Sequence, residues 1–206
     1  MKFRQFRIMC VVVIALAVTS CAAGDGDSED SESSPKMNMQ EAAERADGMV
    51  FDTLSSVDPS LHWTHDTSSS GDCTDFNNDS HGYGSVIRNA VVMTDVSEVR
   101  RGALLGVIER RWKSKGYKIT NVDSDQEFPA IDAAIGDGFS ASLLVGEKGQ
   151  FYLRVQTPCV EKSEVSAPGR KGNGRDYYGH EIPRPNVHDS FWSSTHPLAS
   201  TPSSDT

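Results

Sequence analysis

The chain reads as an α+β domain: an antiparallel β-sheet with two helices packed on one face, flanked by a disordered acidic tether and a disordered tail. Three observations predict it. Apolar side chains recur at helical spacing from Met39 to Val57, and again from Val96 to Trp112. From Phe139 to Thr157 they alternate with polar ones at period two, as on a half-buried antiparallel sheet.

The first helix opens at Asn38, with Glu41 three residues on, in the pattern of a capping box. It runs to about Ser56, with Pro59 beyond. Leu61 to Ser69 is a strand of poor alternation, and Tyr83 to Met93 is a clearer one through Val86, Val91 and Val92. Thr94 or Asp95 can cap the second helix, whose apolar stripe is Val96, Val99, Ala103, Leu104, Val107, Ile108 and Trp112. Arg110, Arg111, Lys113 and Lys115 suit the negative end of its dipole, and Gly116 is placed to end it. A meander follows over 117–122, 128–135, 139–145 and 150–157, with turns at Asp137-Gly138 and Glu147-Lys148-Gly149.

The ends differ in composition. Gly24 to Lys36 holds five acids and four serines with no large apolar residue, so it cannot order itself by burial, and its like charges extend it. Residues 161–206 hold five of the nine prolines and offer little to pack beyond Ile182 and Phe191-Trp192. They are expected to be disordered. The expected organisation is a signal peptide over 1–20, a tether over 21–37, the domain over 38–160 and the tail over 161–206.

The leader gives an address. Lys2, Arg4 and Arg7 precede an eleven-residue apolar run, Ile8 to Val18. Such a helix rises roughly 16 Å, about half of a hydrocarbon core, which is too short to span. Charged start, short apolar run and small residues before a cut site make a secretory signal peptide. Val18-Thr19-Ser20-Cys21 resembles the lipobox of bacterial lipoproteins. The resemblance implies cleavage before Cys21, a diacylglyceryl group on its thiol, and two acyl chains that hold the protein on the extracytoplasmic face of the cell membrane. With the acidic tether and Thr157-Pro158-Cys159, the chain also resembles the small, uncharacterised lipoproteins of actinomycetes, which supply no shared catalytic residues.

Of the four cysteines, Cys10 leaves with the leader and Cys21 takes the lipid. Cys73 and Cys159 remain, in a compartment where disulfides persist. Their bridge would close a long loop, for which the chain-entropy model gives on the order of 4–5 kcal/mol. Losing the leader takes the formal charge from −9 to −12, which argues against nucleic-acid partners and against electrostatic attraction to anionic lipid.

Candidate chemistry is sparse. On a strand, His62 and His65 point to opposite faces and do not share a metal. Asp75, Asn77 and Asp79 match the first three ligand positions of an EF-hand-like calcium loop, a weak calcium candidate. Ser80 stands where the loop wants Gly, and Val86 where it wants Glu. Ser68–Ser70 and Gly82–Ser85 match neither a nucleophile elbow nor a phosphate loop. Asp123, Asp125, Glu127, Asp132 and Asp137 read as a solvated rim. His180, His188 and His196 are spaced eight apart in the tail, and Phe191-Trp192 is either a docking motif or a segment that folds back on the domain. No metal or cofactor is expected. The expectation is a non-enzymatic envelope lipoprotein that binds an envelope protein, peptidoglycan or a small hydrophobic molecule, on the polar sheet face or in a groove between sheet and helices. The alternative is a surface hydrolase or metal-dependent enzyme using His62, His65 or the Asp75–Asp79 loop.

Overall fold

A computed structural model describes residues 37–198. The expected signal peptide, Cys21, the expected tether up to residue 36 and residues 199–206 lie outside the described residues. Helix α1 spans Met39–Leu54, strands β1 and β2 span Trp63–Thr74 and Ser80–Val92, and helix α2 spans Glu98–Ser114. Strands β3 to β7 are Lys118–Asp123, Ala130–Ala134, Ser140–Val145, Phe151–Gln156 and Val160–Glu161. All pair antiparallel in one seven-stranded sheet of order β1-β2-β6-β5-β4-β3, with β7 on β2. The α+β class with an antiparallel sheet and two helices is therefore what the chain adopts.

Local chemistry explains most boundaries. The Asn38 side chain accepts from Glu41 N–H, and the Glu41 carboxylate accepts from Asn38 N–H, so the capping box forms in full. Asp137 and Gly138 take positive φ and let β4 turn back into β5; Gly149 does the same before β6. The apolar phase of β5 and β6 (Phe139, Ala141, Leu143 and Val145 against Phe151, Leu153 and Val155) is buried beneath the helices. Helix α1 lies over β2 and β6, and α2 over β3 and β4.

Two expectations are revised. Helix α2 is capped by Ser97 rather than Thr94 or Asp95. Those two residues bind the tail instead: Thr94 bridges to Val187, and Asp95 N–H donates to Val187 C=O. Val99, expected in the core, stands about half exposed.

The larger revision concerns residues 161–198. Past Glu161 they form no helix or strand, yet they are bound along the domain. Ser166 N–H donates to Gln40 Oε1, Trp63 N–H to Asn173 Oδ1, and Tyr177 N–H to Thr64 Oγ1. A Cβ on Gly172 would run into the Trp63 carbonyl, so only glycine lets this segment lie so close to β1. Trp192 is 1% exposed and donates from Nε1 to the Pro59 carbonyl at 2.7 Å. Composition counts apolar residues; it does not show that the few present have a receptor. Phe191-Trp192 folds back on the domain.

Candidate functional site

Helix α2 does not close down on the sheet along its whole length. Val99, Gly102, Leu105, Gly106 and Glu109 fall at spacings of three and four, so they share one flank, and that flank faces β3 and β4. Two of the five are glycines, and a Cβ on Gly102 would touch nothing. The result is a groove of about 510 Å³. Leu105, Pro129 and Ile131 form its floor, and Val99 and Val122 its half-exposed walls. Glu98, Glu109 and Asp125 stand at its rim with a single cation, Arg101. Asp125 is used locally: its Oδ1 accepts the N–H groups of Glu127 and Phe128, which holds its carboxyl below the usual range. Arg101 donates to Glu127 C=O and packs against Gly149. Past Arg101 a more polar depression of about 590 Å³ reaches Phe128 and Gly146.

A second cluster is closed. Asp47 on α1, His65 on β1 and Arg88 on β2 all lie beneath α1 and the tail. Arg88 Nε and Asp47 Oδ1 are 2.9 Å apart. The N–H is not aimed at the oxygen, so they form an ion pair rather than a hydrogen bond. The same guanidinium donates to Ser68 Oγ at 2.9 Å and to Ser166 C=O at 2.8 Å. Burial pushes the Asp47 carboxyl up, against the pull of Arg88, His65 and the Gly169 N–H. Burial pushes His65 down, against Asp47. The His65 ring packs edge-on to Trp63 with centroids 5.2 Å apart. A histidine and a carboxylate do meet here, but with an arginine between helix and sheet and with no open cleft.

The other predicted residues stay apart. His62, just before β1, is exposed, while His65 within β1 is buried. Cys73 and Cys159 are bridged, with Cα atoms 6.0 Å apart. In the calcium candidate, Asp75 Oδ1 accepts the N–H groups of Asn77 and Asp79, and Oδ2 meets His81 Nε2 at 3.0 Å. The carboxylate therefore closes its own turn, and Phe76 projects into solvent. Among the described residues no three His, Cys, Asp or Glu side chains come together as a metal site, the three tail histidines included. Asp132 accepts from Asn121, and Asp137 pairs with Arg45. Cys21 lies outside the described residues. Among those described, no helix is long and apolar enough to cross a membrane.

No described protein family matches the chain, and no curated protein does. Among solved structures, a DUF4853 family protein from Actinomyces odontolyticus overlaps it with a TM-score of 0.44 at 11% identity, over 66% of this chain and 76% of that one. Nothing is inferred from so loose an overlap.

Sequence reasoning expected a groove between sheet and helices without its residues, and it missed the Asp47–Arg88 pair. The Asp47–Arg88 pair left a signal: Asp47 is in helical phase with Ala43 and Val50, and Arg88 is in strand phase with Val86 and Ala90, all of them buried. A charge on each of two core faces predicts a pair. The groove left only Gly102 and Gly106 inside a helix.

Proposed function

We propose that this chain is a non-enzymatic binding module, held at the extracytoplasmic face of the cell membrane by lipid on Cys21, whose ligand occupies the groove between α2 and β3–β4. The groove carries the reading. Its volume falls within the roughly 300–1,000 Å³ of small-molecule sites, and it has their apolar floor and sparse polar rim. Gly102 and Gly106 each cost the helix about 1 kcal/mol relative to alanine. At Gly102 no close packing requires glycine, since an added Cβ would touch nothing; its absence leaves that width to the groove. Floor and rim together favour a small hydrophobic molecule, neutral or cationic, over an anionic one. The leader and the Cys73–Cys159 bridge support the address, since such bridges persist outside the reducing cytosol. The enzyme alternative is not adopted, because it needs histidine and acid converging in an open pocket.

Residues 37–198 hold every described helix and strand and the described core, so residues 37–206 suit the test. Nile red, a neutral apolar dye, is titrated into the wild type and into Gly102→Leu, which fills the groove from the helix side. Saturable binding by the wild type, lost in the variant while thermal unfolding is kept, is the expected result. Equal binding by both, or none by the wild type, overturns the groove as the site. Intact-mass spectrometry of protein extracted from membranes tests the address. A diacylglyceryl mass on the wild type, absent from Cys21→Ser, is expected; a lipid-free wild type refutes it.

A further inference from the structure

The two edges of the sheet are treated differently. At the β1 edge, the tail lies along the start of the strand, taking the Trp63 N–H and donating to Thr64 Oγ1. At the other edge, β3 pairs only with β4, and no other backbone hydrogen bond of the described residues reaches it. An uncovered edge strand is a template for another strand. The question is which strand fits.

Strand β3 reads Lys-Ile-Thr-Asn-Val-Asp. It carries a cation at one end, an acid at the other and an apolar residue next to each. Run antiparallel against itself, it sets Lys118 opposite Asp123, Ile119 opposite Val122 and Thr120 opposite Asn121. In a regular strand this register is forbidden. Lys118 and Asp123 are an odd number of residues apart and would point to opposite faces, as would Ile119 and Val122. Here a bulge removes the conflict. Ile119 pairs with Ala133 and Asn121 with the next residue, Asp132, which leaves Thr120 as the extra residue. Ile119 and Val122, opposite the buried Ala133 and Ile131, therefore share the helix face. Lys118 and Asp123 share the open face. Neither takes part in an ion pair among the described residues. Val122 is 52% exposed.

We propose that β3 is a dimerisation edge: a second copy of this chain adds its own β3 antiparallel to the first, through the bulge-corrected register that pairs Lys118 with Asp123 twice about a two-fold axis. The interface is isologous, so each charge pair forms twice. Ile119 and Val122 of the two copies form one apolar strip on the helix side. The proposal does not depend on what the groove binds.

The test is native mass spectrometry of the full chain, extracted in detergent from the membranes of a bacterial host, across a concentration series. The wild type is expected to be dimeric. Lys118→Asp puts two acids opposite each other at both pairs, and Asp123→Lys puts two cations there. Each is expected to weaken dimerisation about tenfold. Mixing the two variants restores opposite charges at both pairs, so a heterodimer of wild-type strength is expected. Both positions are exposed, and a thermal melt of each variant checks that the fold is kept. A wild type that stays monomeric overturns the proposal and leaves the bulge as a guard against edge pairing. Dimers untouched by either variant, or a mixture that fails to recover, overturn it equally.

Discussion

Asp47 and Arg88 face each other across the α1–sheet interface, each almost out of reach of water. Removing one leaves the other charged and buried, which costs far more than the pair itself contributes. Asp47→Ala is therefore expected to lose about 3–5 kcal/mol in urea unfolding. Asp47→Leu combined with Arg88→Met is expected to recover part of that, though not the Arg88 bonds to Ser68 and Ser166. A double variant no better than the single one would show that the guanidinium matters through those two bonds. His65 adds a pH dependence. Burial lowers its pKa below the ordinary 6.5, so as pH falls the unfolded chain takes up the proton first. Stability is then full above about pH 6.5 and declines as the pH drops through that value. Asp47, raised above 3.8, works in the opposite sense. Arg88 is the other charge facing the ring and adds to the lowering. Between about pH 7.5 and 5.5 the wild type should lose melting temperature more steeply than His65→Gln; parallel slopes would remove His65 as the cause.

At the scale of elements, legibility followed the range of the interactions. The α1 start was readable because its cap is three residues long. The β5–β6 hairpin was readable because Phe139, Ala141, Leu143 and Val145, and then Phe151, Leu153 and Val155, fall at period two on either side of a turn that carries glycine. The α2 cap was misjudged because Thr94 and Asp95, good cap residues by type, are bound by Val187, 93 residues or so further along. A groove between sheet and helices was expected, but its lining was unreadable because it depends on how far a sheet lies from a helix. The tail was misread for the same reason, and it offers a direct measurement. Trp192→Ala removes a buried indole and leaves the Pro59 carbonyl without its donor, so a loss of about 3–5 kcal/mol is expected. Phe76→Ala, at a fully exposed turn, should stay within about 0.5 kcal/mol. Equal effects would mean that the tail contributes nothing to the fold.

For the whole molecule, the long-range tie is the Cys73–Cys159 bridge. It spans 86 positions and joins the outer half of the β1–β2 hairpin to the end of the meander. Reduction should lower stability by about 4 kcal/mol and the melting temperature on the order of 10 °C. Cys73→Ser should match the reduced wild type; a reduced protein that melts unchanged would show the loop already confined by β7 and the tail.

The tail's position also bears on how the fold is reached. Whether this chain emerges from a ribosome or from a translocation pore, it emerges N-terminus first. Pro59 must wait 133 residues for Trp192, Arg88 waits 78 for Ser166, and Trp63 waits 110 for Asn173. Contacts so distant in sequence form slowly and late. Until the final segment arrives, α1, β1 and β2 lack the cover that completes their core.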